Sequence, residues 1–473
     1  MAGVDSDRPD HIAPLPNEIL SIIFLELQRA SRARGTSDVP IAETTVSHVC
    51  SHWRAVSLSI PQLWSVFEHV PASSHLPARW TEERLAVYLE RSKGHPFELW
   101  IDFATEEDLG GNRLLSLLHM VLPHLHRCRV FHILSDKNHP LRDFREILAN
   151  AAVPLLEICA LCPDHQVARR PDLALTSANI FQTGAPSLKY VRLDETSFLN
   201  LRPPLESVVH LRIEERRVAS PILIPNSIFD EIISLPNLET FSLFGYLFRF
   251  QNQDGPIPNE SLLAKNLKEF RTMDPIVAGY IFSHVLTPSL QSVMFPKFNL
   301  DGGDVSIPAQ MALPSLRTVT LMDPGSGSHD LEGSPNTEKF VSGTYNVDEL
   351  SVWGGFAEGE GRNEDWGKVL EAVAAPSTWT NLKRATLSMP FTNPSEIEYY
   401  HKFIRGKPQL EVLCVPPGCL ERPAFMDGVP SHLRLQPIDY SKPGISLYRT
   451  PGPDWMDTEE DPFLRERRMF EYF

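Results

Sequence analysis

The sequence predicts an α/β chain: a helical unit followed by an irregular solenoid of strand–helix repeats. Three observations carry that prediction. A six-residue pattern recurs eleven times between Leu125 and Val415, each time an apolar anchor, two variable residues, then two apolar residues one apart. Segments between these patterns show helical periodicity. Upstream, from Ile19 to Val56, apolar residues recur at helical spacing without the strand pattern.

The eleven patterns read "LHRCRV" (125–130), "LEICAL" (156–161), "LKYVRL" (188–193), "VVHLRI" (208–213), "LETFSL" (238–243), "LKEFRT" (267–272), "LQSVMF" (290–295), "LRTVTL" (316–321), "VDELSV" (347–352), "LKRATL" (382–387) and "LEVLCV" (410–415). Their mean period is about 28 residues, with gaps from 20 to 35. A short strand repeating at that period is the signature of leucine-rich repeats. The expected architecture therefore has parallel strands on a concave face and helices on a convex face. Helical periodicity appears at 112–122, 226–235, 365–374 and 394–404, and "TEERLAVYLERS" (81–92) precedes a first strand, "FELWIDF" (97–103). No asparagine recurs after each strand, so the solenoid is irregular, and the repeat ending on Thr272 is its weakest.

Composition bounds the function. Apolar residues make up 42% of 473 residues, enough for a large core, and a repeat architecture overrules the length-based count of domains. The net charge of −16 argues against non-specific binding to nucleic acid or anionic membrane. The opening "MAGVDSDRPD" lacks the basic and apolar regions of a signal peptide, and no run of 18 apolar residues occurs. Six cysteines are too few for a disulfide scaffold, which points to a reducing compartment, cytoplasmic or nuclear.

The N-terminal helical unit starts at "PLPNEILSIIFLEL" (14–27), where Pro16 suits a first helical turn and Glu18 complements the helix dipole. A polar segment, Gln28 to Glu43, then separates it from a second amphipathic helix marked by Val46, Val49, Trp53 and Val56. Pro61 ends that helix, and Leu63 and Trp64 restart the apolar cluster. Within this region "TVSHVCSHWR" (45–54) places His48 and His52 four apart on one helix flank. No second Cys/His pair follows at zinc-ligand spacing and no Glu completes HExxH, so no metal is expected.

Leu15-Pro16, Glu18-Ile19-Leu20, Ile23-Phe24, Val46, Val49-Cys50, Trp53-Arg54, Ser57, Pro61 and Leu63-Trp64 together resemble the F-box family, in particular the F-box-like proteins of mushroom-forming fungi. The segment from Gln28 to Glu43 departs from the compact F-box. The resemblance implies a three-helix F-box that docks on the Skp adaptor, and through it on the cullin, of an SCF-type ubiquitin ligase. Leu15, Pro16, Ile19, Leu20, Ile23, Phe24, Val49, Cys50, Trp53, Leu63 and Trp64 would then form the adaptor-binding surface.

The domain expectation is a disordered N-terminus over 1–12, the F-box-like domain over 13–67, a linker and helix over 68–96, the solenoid over 97–420, and a cap and tail over 421–473. The strand residue between the last two apolar positions points onto the concave face. In order these are Arg129, Ala160, Arg192, Arg212, Ser242, Arg271, Met294, Thr320, Ser351, Thr386 and Cys414. Arg129, Arg192, Arg212 and Arg271 suggest a basic stripe that binds an acidic or phosphorylated target segment. The alternative is that they are solvated or paired with neighbours such as Asp194 and Glu214.

"CALC" (159–162) places Cys159 at a buried repeat position rather than in a redox pair. The loops "GGFAEGEG" (354–361) and "DPGSGSHDLEGS" (323–334) lack phosphate-binding and nucleophile signatures. The acidic run Asp457–Asp461 suggests an internal competitor for the arginine stripe. The expected function is non-catalytic, without cofactor: a receptor holding a protein target for ubiquitin transfer. The alternative is an F-box/leucine-rich-repeat scaffold outside a ligase, and a hydrolase is disfavoured because no catalytic constellation is visible.

Overall fold

A computed structural model describes residues 15–33, 42–69, 81–102, 112–134, 141–162, 178–215, 224–249, 262–295, 313–322, 340–341, 343–353, 369–371, 373–388 and 394–438. The chain divides into two compact units. One comprises residues up to 168 with 178–188 and 200–204; the other comprises 169–177, 189–199 and everything from 205 onward.

The first unit opens with α1 (Asn17–Ala33), α2 (Ala42–Ser47), α3 (Ser51–Ser59) and a 3-10 turn at Pro61–Trp64. It continues with β1 (Val66–His69), α4 (Thr81–Arg91), β2 (Phe97–Asp102), α5 (Asn112–Val121), β3 (Cys128–Leu134), α6 (Leu141–Leu148) and β4 (Ile158–Cys162). Strands β1 to β4 pair in parallel and in chain order. The Pro16 carbonyl starts α1 by accepting from Ile19 and Leu20 N–H, both at 3.0 Å. Leu20, Phe24 and Gln28, at i, i+4 and i+8, turn inward and are buried. Phe24 packs on Trp53 with centroids 5.1 Å apart, and the Trp64 indole donates to the Ser57 carbonyl at 2.9 Å.

Two sequence expectations are corrected here. The polar segment does not begin at Gln28. Helix α1 runs on to Ala33, and Gln28 and Glu43, read as the ends of a polar segment between helices, are 4% and 3% exposed. Gln28 Nε2 donates to Glu43 Oε2 at 3.2 Å and to the Leu63 carbonyl at 2.7 Å. The Tyr88 hydroxyl from α4 donates to Glu43 Oε1. Polar groups enter this core because each finds a partner there. The second helix is also not continuous: Cys50 is extended (φ −156°, ψ 171°) and caps α3 through its sulfur. His48 therefore lies in the turn after α2 and His52 in α3.

The second unit contains β5 (Tyr190–Asp194), α7 (Glu195–Asn200, whose last residue belongs to the first unit), β6 (His210–Glu214), β7 (Ile224–Pro225), α8 (Asn226–Ile233), β8 (Thr240–Phe244), β9 (Phe248–Arg249), β10 (Leu262–Leu263), β11 (Glu269–Thr272), α9 (Pro275–His284), β12 (Val285–Leu286), β13 (Ser292–Phe295), β14 (Thr318–Met322), β15 (Glu349–Trp353), β16 (Arg384–Ser388), α10 (Pro394–Gly406), β17 (Val412–Val415), α11 (Pro417–Leu420), α12 (Pro423–Met426) and β18 (Arg434–Pro437). Ten of these strands pair in parallel in the order β5, β6, β8, β11, β13, β14, β15, β16, β17, β18. Two short parallel ladders, β7–β9 and β10–β12, accompany them. Helices cover one side: Phe229 of α8 meets Phe241 of β8 at 5.9 Å, and Phe282 of α9 meets Phe295 of β13 at 6.3 Å.

From β4 to β17 the strands begin two residues after the apolar anchors read from the sequence. From the anchor Leu238 to Leu410, the N–H of the residue after each anchor donates to the carbonyl of the same position one repeat earlier. Glu239 to Val209, Lys268 to Glu239, Gln291 to Lys268, Arg317 to Gln291, Asp348 to Arg317, Lys383 to Asp348 and Glu411 to Lys383 span 2.7 to 3.0 Å. A second ladder uses the polar residue just before the anchor. Asn237 donates to the Glu206 carbonyl at 2.8 Å, Ser289 to Lys265 at 2.8 Å, Ser315 to Pro288 at 2.7 Å and Asn346 to Pro314 at 3.0 Å. Here the polar ladder precedes the strand, which is why no asparagine recurs after it. The ladder of strands also extends beyond the eleven patterns, to β1 and β18. Past Val415 the chain makes one more turn: Phe425 of α12 packs against Tyr400 of α10 at 5.8 Å, and β18 pairs with β17.

Tyr88→Phe should lower stability by about 1–3 kcal/mol, because it strips a donor from a buried carboxylate. The readout is the urea midpoint of unfolding of the full chain; an unchanged midpoint means that the Gln28–Glu43–Tyr88 network does not hold the first unit together.

Candidate functional site

The helices of the first unit bury one side of α1 and leave the other in solvent. Leu15, Ile19, Ile22, Ile23, Leu27 and Val49 are between 40% and 58% exposed. The expected adaptor-binding residues divide accordingly. Leu15, Pro16, Ile19, Ile23, Val49 and Cys50 are exposed, and Trp53 is half-buried. Leu20, Phe24, Leu63 and Trp64 are core residues. Trp64 is enclosed by Tyr88, 5.4 Å away edge-on, and by the Arg91 guanidinium, 4.3 Å above its ring. Buried side chains cannot meet a partner, so these four act through packing. Ile22 and Leu27, neither among the expected adaptor-binding residues, join the exposed set.

On the strands of the second unit, the side opposite the helices carries register rows. One row runs Arg192, Arg212, Ser242, Arg271, Met294, Thr320, Ser351, Thr386, Cys414 and Gln436. Arg129 is not placed as expected. In the first unit the pairing of β2 with β3 shifts between Phe97 and Glu98, and His132 takes the position opposite Trp100 and Ala160. The expected open basic stripe is corrected as well. Arg192 and Arg212 are 0% and 1% exposed, and Arg271 is 8% exposed.

Each arginine is engaged by a carboxylate. Arg192 grips Glu214 through Nε at 3.0 Å and Nη2 at 2.8 Å, and Arg212 pairs with the same carboxylate. Arg271 Nη2 holds Glu269 at 2.9 Å, and Arg129 Nε lies 3.5 Å from Glu157. Asp194 accepts from the Ser197 N–H at 2.6 Å at the start of α7. Pairing with internal carboxylates, the alternative left open by the sequence, is what the structure has.

Burial also holds His210 neutral, its pKa lowered to about 4 while it stacks on Tyr190 at 4.7 Å. Burial pushes the Asp274 carboxyl up to about 6, although it caps α9 by accepting from Ile276 and Val277 N–H.

From β13 to β18 the same row is uncharged and half-buried: Met294, Thr320, Ser351, Thr386, Cys414 and Gln436. Beside it Met322, Trp353 and Ile438 form a buried apolar cluster, with Met294 and Cys414 packed on it. A parallel row carries Arg384, Val412 and Arg434 in register.

Other sequence features are placed without forming a chemical centre. Cys159 and Cys162 are both fully buried in β4, where burial raises the Cys159 thiol. All six cysteines are free. Among the described residues no group of three His, Cys, Asp or Glu could hold a metal ion, and no helix is long and apolar enough to cross a membrane. The loops 323–334 and 354–361, the acidic run Asp457–Asp461 and residues 1–12 lie outside the described residues.

Glu214→Ala should destabilise the chain by about 3–5 kcal/mol, because it leaves two buried guanidiniums without their shared carboxylate; thermal unfolding reads this, and a loss below 1 kcal/mol means the cluster is solvated. Asp274 supplies a pH test. Its folded pKa, about 6, exceeds the ordinary 3.8, so the folded chain binds more protons than the unfolded chain between those values. Its contribution therefore makes stability fall as pH rises through that window. Asp274→Asn keeps the cap and should remove that slope in urea titrations; an unchanged slope assigns it to another group.

No family model matches the sequence, and no curated protein matches it. Among solved structures the chain is similar to the crystal structure of the leucine-rich repeat-containing protein LegL7 from Legionella pneumophila, at 12% identity over 65% of this chain and 89% of that chain, with a TM-score of 0.33. The assignment of a parallel strand–helix repeat rests on the strand pairing of the chain itself.

Proposed function

We propose that this chain is a non-catalytic substrate receptor of an SCF-type cullin–RING ubiquitin ligase, docking on the Skp adaptor through its N-terminal helices and holding a protein target on its repeat strands. The observation that carries this reading is the exposed apolar side of α1. Five large aliphatic side chains there, Leu15, Ile19, Ile22, Ile23 and Leu27, are each at least 40% exposed. A contiguous apolar patch of this kind fits a partner's helix or groove. The F-box resemblance says which partner.

The repeat supplies the second half of the proposal. Its strands present side chains in fixed rows, a surface suited to an extended or folded protein ligand. The contribution to ubiquitin transfer is proximity: a bound target sees the conjugating enzyme at high effective concentration.

The test is capture of Skp adaptor and cullin by the full chain and by Ile19→Glu/Ile23→Glu, both at exposed positions that leave Leu20 and Phe24 in place. Capture of both partners by the native chain, reduced at least tenfold in the variant, is the expected result. Adaptor without cullin would instead indicate an F-box/leucine-rich-repeat scaffold outside a ligase. No capture of either contradicts the reading.

A further inference from the structure

The last described residue, Ile438, is seated on the side of the sheet opposite the helices. Its N–H donates to the Val415 carbonyl at 2.8 Å, and its side chain joins Met322 and Trp353 in the buried cluster. The chain then continues for 35 residues, 439–473. On the same face Arg384 of β16 and Arg434 of β18 flank Val412 in one register row, which continues past Arg384 to Glu349 of β15. Both are exposed, and neither makes an ion pair among the described residues. They differ in this from Arg192, Arg212 and Arg271, which already hold carboxylates.

We propose that the segment 439–473 is an intramolecular occupant of the β13–β18 face, with its acidic run Asp457–Asp461 against Arg384 and Arg434 and its apolar residues against the Met294–Cys414 row. Three features converge on this occupant. The row is uncharged, so apolar side chains such as Ile445, Leu447 and Trp455 displace no ionic solvation there. The run Asp457–Asp461 carries four carboxylates and meets two exposed arginines that make no ion pair among the described residues, although Glu349 stands in register beside Arg384. The tether begins at the end of β18, the strand that borders this face, which gives the segment a local concentration on the order of millimolar. Reach is not limiting: the chain from Ile438 to Asp457 spans up to about 60 Å extended, and adjacent strands are only about 4.8 Å apart. Exposed ion pairs are individually weak, so the segment is displaceable, and a target for this face competes with it. This inference is independent of adaptor docking.

The experiment uses the full chain with photoreactive benzoylphenylalanine in place of Trp455, irradiated at low concentration and mapped by mass spectrometry. The expected adducts lie within one chain, on peptides carrying Thr386, Cys414 or Gln436. Arg384→Glu/Arg434→Glu should cut their yield at least fivefold, and adding Glu459→Arg/Glu460→Arg should restore it to within twofold. Adducts confined to other parts of the chain, adducts only between chains (a second copy as occupant), no adduct, or a yield indifferent to charge reversal would each overturn the proposal. Adaptor capture measured on the same samples reports on α1 alone and leaves this result standing.

Discussion

Every other feature of the repeat depends on one hydrogen bond made again and again: the N–H of the residue after each anchor from Leu238 to Leu410, donated to its counterpart one repeat earlier. Parallel strands cannot be set in register by a tight turn, because a long crossover separates them. The buried anchor and the amide that follows it do this work, and the polar residue before the anchor adds a second tie in several repeats. With that position fixed, alternation decides which side chain faces the helices and which faces away. Glu239, Lys268, Gln291, Arg317, Asp348, Lys383 and Glu411 repeat the contact through a stretch whose spacing varies, so irregular crossovers leave the rows intact.

Those rows explain how much was legible beforehand. The anchors fixed β4, β5, β6, β8, β11 and β13–β17 to within two residues, since a period near 28 with two-residue alternation has few other solutions. Arg129 was misplaced because Leu125 is not the equivalent of the anchor Leu156: the β3–β4 register sets Val130 opposite Ile158 and His132 opposite Ala160, a three-residue offset that the one-dimensional pattern hides. Gln28 and Glu43 were read as the bounds of a polar segment, and polarity alone does not show that they are buried. Their mutual hydrogen bond, and those to Tyr88 and Leu63, make them core. Cys50 broke a helix that Val46, Val49 and Trp53 seemed to continue, through a cap that apolar spacing does not reveal. Strand β18 escaped notice among prolines, although Leu433 stands where another anchor belongs.

The candidate surfaces were legible in kind and only partly in residue. The helical unit exposes Leu15, Ile19, Ile23 and Val49, yet it spends Leu20, Phe24, Leu63 and Trp64 on its own core. A motif marks residues that matter without saying which touch a partner and which position those that do. The arginines teach the same lesson in charge. Sequence counting placed Arg192, Arg212 and Arg271 in one row, but formal charge is not available charge: Glu214 and Glu269 engage them, and burial makes that pairing strong. The arginines left open, Arg384 and Arg434, lie nearer the other end of the ladder, beside a row with no charge at all.

The central proposal is that the exposed side of α1 docks the adaptor without engaging the strand rows. Hydrogen–deuterium exchange of the full chain with and without purified Skp adaptor tests both halves at once. The account predicts protection in peptides covering Leu15–Leu27 and Val46–Arg54, with the strands from β5 to β18 unchanged. Protection confined to the strands, or none in either helical peptide at saturating adaptor, would contradict it.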